Sequence, residues 1–230
     1  MWNSEATDIF SCSLDGFVCQ IDIKKSKLVS KFHTNSNDYS AGKARKASRS
    51  GLGCGREPLH SICLHPSEQS VIVGSLSRLT WIDLDTKSPL KTFQGGHVGF
   101  VNSLTILQIL KQCYVLSAGE SSQDYTISAW KLSLDEETDS TPNTKIKPPD
   151  VQQSPDSIVA KFGVNESVRS LFVLQSPSDK IVNDSIRTED EPLIGVITKT
   201  GTLHCFKHEF ASIRKKKPIK PKLTIQVTIL

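Results

Sequence analysis

Gly96 to Lys131 read GHVGFVNSLTILQILKQCYVLSAGESSQDYTISAWK, and this stretch decides the fold. It opens on Gly96-His97 and runs into an alternating segment through Val101, Ser103 and Thr105. A second extended run follows, Tyr114-Val115-Leu116-Ser117-Ala118. The chain then turns through a polar loop into Asp124-Tyr125-Thr126-Ile127-Ser128-Ala129-Trp130-Lys131. Short runs of this composition divided by turn residues predict three consecutive strands of an antiparallel meander. Trp130, on the third strand, carries an indole N–H that needs an acceptor when buried. Ser117 on the second strand can relay it, and His97 and Asp124, in the flanking turns, can complete the chain.

Gly-His near the start and Trp near the end, about 35 residues apart, resemble one blade of a WD-repeat propeller. The resemblance implies a structural tetrad of His97, Ser117, Asp124 and Trp130, hydrogen-bonded so that the loops of a blade are tied to its strands. These residues are structural on this reading, not catalytic.

Similar units lie on either side. Residues 8–32, DIFSCSLDGFVCQIDIKKSKLVSKF, hold two strands around a Leu-Asp-Gly turn and a third after Lys24-Lys25. Asp15 lies six residues before Ile21, as Asp124 does before Trp130, so Ile21 takes the Trp place. The innermost strand of this blade is missing, because Met1 to Thr7 are too few and too polar to supply it. Residues 58–93 form a complete blade in which Ile82-Asp83-Leu84-Asp85-Thr86-Lys87 matches the family's Trp-Asp segment. Leu76 stands where the turn Asp belongs, so no tetrad is expected there. Residues 97–162 are the blade first described, and residues 167–230 form another, with Phe206 in the Trp place. Polar insertions expected to be disordered fall at about 33–57, 133–157, 176–190 and 211–222. The expected fold is all-β: residues 1–230 as a partial WD-repeat propeller of about three complete blades and one incomplete blade. Such an array leaves a blade face and strand edges unpaired. The chain is therefore expected to be an open arc cut from a longer protein.

Bulk properties narrow the class. The chain has 230 residues, 37% hydrophobic and 23% charged, with a net charge of +4, which is the balance of a globular domain. No apolar run is long enough to cross a bilayer as a helix, and MWNSEATDIF lacks the pattern of a secretory signal. The six cysteines, Cys12, Cys19, Cys54, Cys63, Cys113 and Cys205, show no zinc spacing and mostly sit in apolar runs, as free thiols in a reducing compartment do.

The order of segments is more specific than the repeat. IFSCSLDGFVCQIDIKKSKLVSKF precedes SICLHPSEQSVIVGSLSRLTWIDLDTKSPLKTFQGGH; later come YVLSAGESSQDYTISAWKL, KFGVNESVRSLFVL and LIGVITKTGTLHCFKHEF. This succession resembles the nucleolar WD-repeat subunits of the small-subunit processome, in the t-Utp subcomplex. The resemblance implies a non-catalytic scaffold in ribosome biogenesis, located in the nucleus and nucleolus. It implies a part in pre-rRNA processing and support of ribosomal DNA transcription by RNA polymerase I. Partners would be other WD-repeat processome subunits and pre-rRNA or a small nucleolar RNP, with no cofactor, metal, membrane or small-molecule substrate.

Two basic clusters bear on partners. Lys43, Arg45, Lys46 and Arg49 lie in the first insertion, and Arg214, Lys215, Lys216, Lys217, Lys220 and Lys222 in the last. Three readings stay open: a nuclear-import segment, a phosphate contact with RNA, and a solvated loop. Without interleaved aromatics, base stacking is disfavoured. Two rivals stand beside the scaffold. One is a generic WD-repeat adaptor in another nuclear complex. The other is an enzyme built on His33, His60, His65, His97, His204 or His208, but no nucleophile elbow, Walker loop or HExxH accompanies them. His204 and His208 have helical ligand spacing, yet TLHCFKHEF alternates like a strand.

Overall fold

The computed structural model describes residues 1–34, 57–109, 112–120, 125–134, 158–174, 192–207 and 224–227. The insertions expected from sequence lie outside these residues except at their margins. The described residues form fifteen strands in four antiparallel sheets. Sheet one is β1 (Asp8–Cys12), β2 (Phe17–Asp22) and β3 (Lys27–His33). Sheet two is β4 (Ser61–Leu64), β5 (Ser70–Gly74), β6 (Arg78–Asp83) and β7 (Pro89–Gln94). Sheet three is β8 (Phe100–Ile109), β9 (Gln112–Glu120), β10 (Thr126–Leu132) and β11 (Ile158–Gly163). Sheet four is β12 (Val168–Leu174), β13 (Leu193–Thr198), β14 (Leu203–Lys207) and β15 (Thr224–Val227). Strand order follows chain order in every sheet, so each is a simple meander.

Alternation decides what each sheet buries, because successive side chains of a strand point to opposite faces. The buried faces meet in three apolar seams, one between each pair of successive sheets. The first joins Phe10, Val18 and Phe32 to Leu59, Val71, Val73 and Ile82. In the second, Ile72, Leu79, Trp81 and Phe93 meet Val101, Leu104, Val115 and Trp130. The third packs Leu107, Leu116 and Ile127 on Val168, Leu171, Ile194 and Val196. A fully buried aliphatic side chain contributes about 1.5–3 kcal/mol relative to exposure, so each seam is a main source of stability. Serines tie the inner strands where the seams end. Ser61 Oγ donates to the Val101 carbonyl at 2.7 Å, and the Leu171 amide donates to Ser103 Oγ at 2.9 Å.

One irregularity repeats. The outer strand of sheets one, two and three carries a bulge at the same register, opposite the step Gln20/Ile21, Trp81/Ile82 and Ala129/Trp130. The register also aligns the third strands. Ile21 faces Ile9, Ile82 faces Val71, Trp130 faces Val115 and Phe206 faces Ile194.

The structure departs from the sequence expectation at the amino terminus. Sheet one has three strands, but Trp2 makes a bridge to Ile9 on the inner edge of β1. Phe10 N donates to the Met1 carbonyl at 2.8 Å, and the terminal ammonium donates to the Phe10 carbonyl at 3.0 Å. Asn3 makes this reversal: its Oδ1 accepts the amides of Thr7 at 2.8 Å and Asp8 at 2.9 Å. A side chain that imitates a backbone turn lets a few polar residues fold back on the strand. The β8–β9 hairpin is also longer than expected, pairing out to Ile109 opposite Gln112.

Of the cysteines, Cys63 is buried in the second seam, and burial pushes its thiol above the ordinary range. Burial raises Cys12 to about 11. Cys19, Cys113 and Cys205 are half-buried free thiols, and Cys54 lies outside the described residues.

Candidate functional site

Three of the four tetrad positions lie within the described residues, and the fold brings them together. His97 sits in the β7–β8 connection just after Gly95, whose φ of 82° suits glycine. Ser117 and Ser128 are opposite one another on β9 and β10, two residues from the Val115–Trp130 pair. His97, Ser117 and Trp130 are 5%, 0% and 2% exposed. Trp130 Nε1 donates to Ser117 Oγ at 2.7 Å, and His97 Nε2 lies 2.7 Å from the same oxygen. Ser117 Oγ also reaches the Ser128 carbonyl at 3.3 Å. A hydroxyl offers one proton and two lone pairs, so these three partners saturate it.

Asp124 lies outside the described residues, as do Lys43, Arg45, Lys46, Arg49, Arg214, Lys215, Lys216, Lys217, Lys220 and Lys222.

Gly96 shows why a glycine precedes the histidine. A Cβ there would come within 2.1 Å of Trp130 Cζ2 and 2.5 Å of Cη2. The indole lies flat against this backbone, with Phe93 of sheet two on another side at 5.7 Å between ring centres. Lys161 Nζ and Ser128 Oγ both donate to the Gly96 carbonyl, at 2.8 and 3.4 Å. The β7–β8 connection is thereby fastened to three strands of sheet three.

No other sheet repeats this chain among the described residues. The register place of Ser117 is taken by Val73 in sheet two and Val196 in sheet four. Sheet two instead uses Trp81, one residue before the aligned Ile82. Its Nε1 donates to Ser70 Oγ at 2.8 Å, and its ring stacks on His65 at 5.6 Å and 28°. Sequence reasoning passed over this pair because it matched Ile82 to the repeat and left Trp81 without a role. A serine eleven residues ahead of a strand tryptophan was the available signal.

The five described histidines do not form a catalytic cluster, His208 lying outside the described residues, and among those residues no group of three or more His, Cys, Asp or Glu is placed to hold a metal ion. His60 lies under Phe100, ring centres 4.1 Å apart, and His65 lies on Trp81. Burial lowers the pKa of both below 6.5. Below pH 6.5 the unfolded chain takes up protons at these positions more readily than the folded chain does. Their contribution is therefore present above that pH and is lost as pH falls below it. A falling midpoint of thermal unfolding between pH 7.5 and pH 5.5 is expected, with a shallower slope in His65→Phe. An identical slope in wild type and variant would remove His65 from this account.

Two large surfaces lie at the ends of the sheet stack. On sheet four, pairing places Phe172, Leu174, Leu193, Ile197, Leu203 and Cys205 on the face turned away from sheet three. None belongs to an apolar seam. Phe172 lies across Gly195 so closely that a Cβ there would meet its ring at 2.1 Å. On sheet one, Ile9, Phe17, Cys19, Ile21 and Leu28 occupy the corresponding far face. Apolar sheet faces of this kind ordinarily pack against another sheet.

No family model matches the sequence, and no curated protein matches it. Solved structures do. The chain is similar to U3-55K, with a TM-score of 0.55 and 15% identity, over 90% of this chain and 47% of that one. It is similar to the WD40 repeats of RRP9, with a TM-score of 0.55 and 13% identity, over the same shares of the two chains. A chain of the mitotic checkpoint complex aligns at a TM-score of 0.56 and 11% identity, over 96% of this chain and 51% of that one. The chain spans about half the length of the solved chains it resembles. At these identities the likeness is one of fold, that of a partial, open WD40 propeller.

Proposed function

We propose that this chain is part of a non-catalytic scaffold of ribosome biogenesis: a WD-repeat subunit of the small-subunit processome, of the kind of WD repeat-containing protein 43. In this reading it acts in the nucleolus in pre-rRNA processing and supports RNA polymerase I transcription of ribosomal DNA. The observation that carries the reading is the order of its sequence segments, from IFSCSLDGFVCQIDIKKSKLVSKF to LIGVITKTGTLHCFKHEF. The fold likeness, which includes U3-55K and the RRP9 repeats, supports it. The chemistry of the surfaces suits a scaffold, because apolar sheet faces and open strand edges bind protein. The His97–Ser117–Trp130 chain then holds the blade in shape rather than reacting, with Asp124 completing it. Further blades of a longer protein would cover the two end faces.

A tagged pull-down from nuclear extract, with the chain extended to full length, tests the reading. Recovery of other processome subunits together with precursor ribosomal RNA is expected. An unrelated partner set without the precursor would leave a generic WD-repeat adaptor. The basic segments are tested separately: replacing Lys215, Lys216 and Lys217 with alanine is expected to reduce nuclear accumulation or RNA binding. If neither changes, both functional readings of that segment fail.

A further inference from the structure

The outer strands β3, β7 and β11 share a feature that the seams do not require. In each, the extra residue of the bulge is aliphatic and open to solvent: Val29 is 55% exposed, Leu90 37% and Val159 37%. They occupy one register position in three successive sheets and so form a row around the rim. Leu28, 49% exposed, widens it at β3.

Charge is segregated on the same strands. They carry Lys27, Lys31, Lys91 and Lys161 and no carboxylate; Asp15 of the β1–β2 turn lies 4.0 Å from Lys31, and Lys91 and Lys161 each also donate to a carbonyl, of Ser133 and Gly96. The acids that end the third strands are engaged in their own turns. Asp22 accepts the Lys25 amide at 2.9 Å and pairs with its ammonium at 3.0 Å. Asp83 accepts the Thr86 amide at 2.7 Å and the Asp85 amide at 3.1 Å. In sheet three that position is Lys131, exposed and positive. An aliphatic row in a positive field asks for a partner that is apolar on one side and acidic beside it.

We propose that this rim docks an amphipathic acidic helix of a protein partner, laid across the three blades. Addition of a strand is the other way to use a sheet edge, but the bulges interrupt the outer ladder where it would have to pair. A segment that crosses the blades instead must satisfy its own backbone groups, which a helix does. A helix advances about 5.4 Å per turn, so a continuous leucine stripe offers a side chain wherever the helix crosses a bulge residue. Glutamates flanking the stripe meet the lysines. The aromatic residues of these strands, Phe32, Phe93 and Phe162, pack inward, so the rim presents no base-stacking platform and RNA is disfavoured.

The test is fluorescence anisotropy of the full chain with a labelled synthetic helix carrying a leucine stripe flanked by glutamates. A scrambled peptide of the same composition and oligouridylate serve as comparisons. The helix is expected to bind, more weakly at high salt, and the scramble to bind far less. The triple variant Val29→Ser, Leu90→Ser, Val159→Ser is expected to lower helix affinity at least tenfold, with an unchanged circular dichroism spectrum (about the effect of removing an interface anchor). The single substitution Leu90→Ser provides a milder version should the triple variant lose its fold, with a several-fold loss expected. An inert helix, equal binding of the scramble, or serine variants that bind like wild type would overturn the proposal. Oligouridylate binding that Lys31→Glu with Lys91→Glu abolishes, while the helix stays inert, would overturn it in favour of a phosphate surface.

Discussion

Replacing Trp130 with alanine is expected to destabilise the chain by about 3–5 kcal/mol, the range for emptying a buried aromatic site. The side chain is 2% exposed and stands in the second seam, against Phe93. Its loss also leaves the buried Ser117 Oγ with one partner fewer. Two gentler substitutions separate the causes. Trp130→Phe keeps most of the apolar surface and removes only the N–H that Ser117 accepts, so about 1–3 kcal/mol is expected. Gly96→Ala adds a methyl 2.1 Å from Cζ2, and about 1–3 kcal/mol of overpacking follows because the indole has no room to retreat. Ser117→Ala should cost more than Trp130→Phe, because it also takes a partner from His97 Nε2 and from the Ser128 carbonyl, and the double variant should cost less than the sum, since the two share one hydrogen bond. Urea unfolding of the five variants measures this. Costs for Trp130→Phe and Ser117→Ala that simply add would show that the two residues act independently, and the hydrogen-bonded chain would then lose its structural role.

The second large effect concerns association. The far face of sheet four exposes apolar side chains that no seam covers, with Leu174 55% exposed. Isolated in solution, the chain is expected to self-associate through this face and that of sheet one, because uncovered apolar sheet faces and open edges are sticky. Sedimentation velocity should show species larger than a monomer, growing with concentration. Leu174→Asp combined with Leu28→Asp places a charge on each end face and should shift the distribution strongly toward monomer, with the circular dichroism spectrum retained. A wild-type chain that is monomeric at high concentration would sink this expectation. It would mean that the end faces are covered in some other way. The contrast with Trp130 is instructive. Both sites are apolar, but one is enclosed between two sheets and governs folding, whereas the other has no second sheet and governs association.

Much of this was legible in the residues. Alternation marked nearly every strand, because a half-buried sheet imposes a period of two on its side chains. The pairing of Ser117 with Trp130 could be read from one meander, since both lie on strands that are consecutive in the sequence and paired in the sheet. The end faces were foreshadowed as well, in the expectation of an unpaired blade face. Harder to see were features that depend on a partner far along the chain. Trp81 was invisible as a hydrogen-bonding residue because the repeat pattern drew the eye to Ile82, and its acceptor Ser70 matters only at that register.

The sequence by itself determined the class of structure, the number of meanders and the residues that could meet within one of them. Those are local consequences of period, turn chemistry and donor–acceptor type. Only the tertiary structure decided that Gly96 must stay bare beneath the Trp130 ring and that Trp2 folds back onto β1. It also decided that Val29, Leu90 and Val159 stand at one register on the rim. A bulge shifts the ladder by one residue and so exchanges the two faces of a strand. Which residue it extrudes depends on how the neighbouring strand and the next blade pack, and no single strand carries that information.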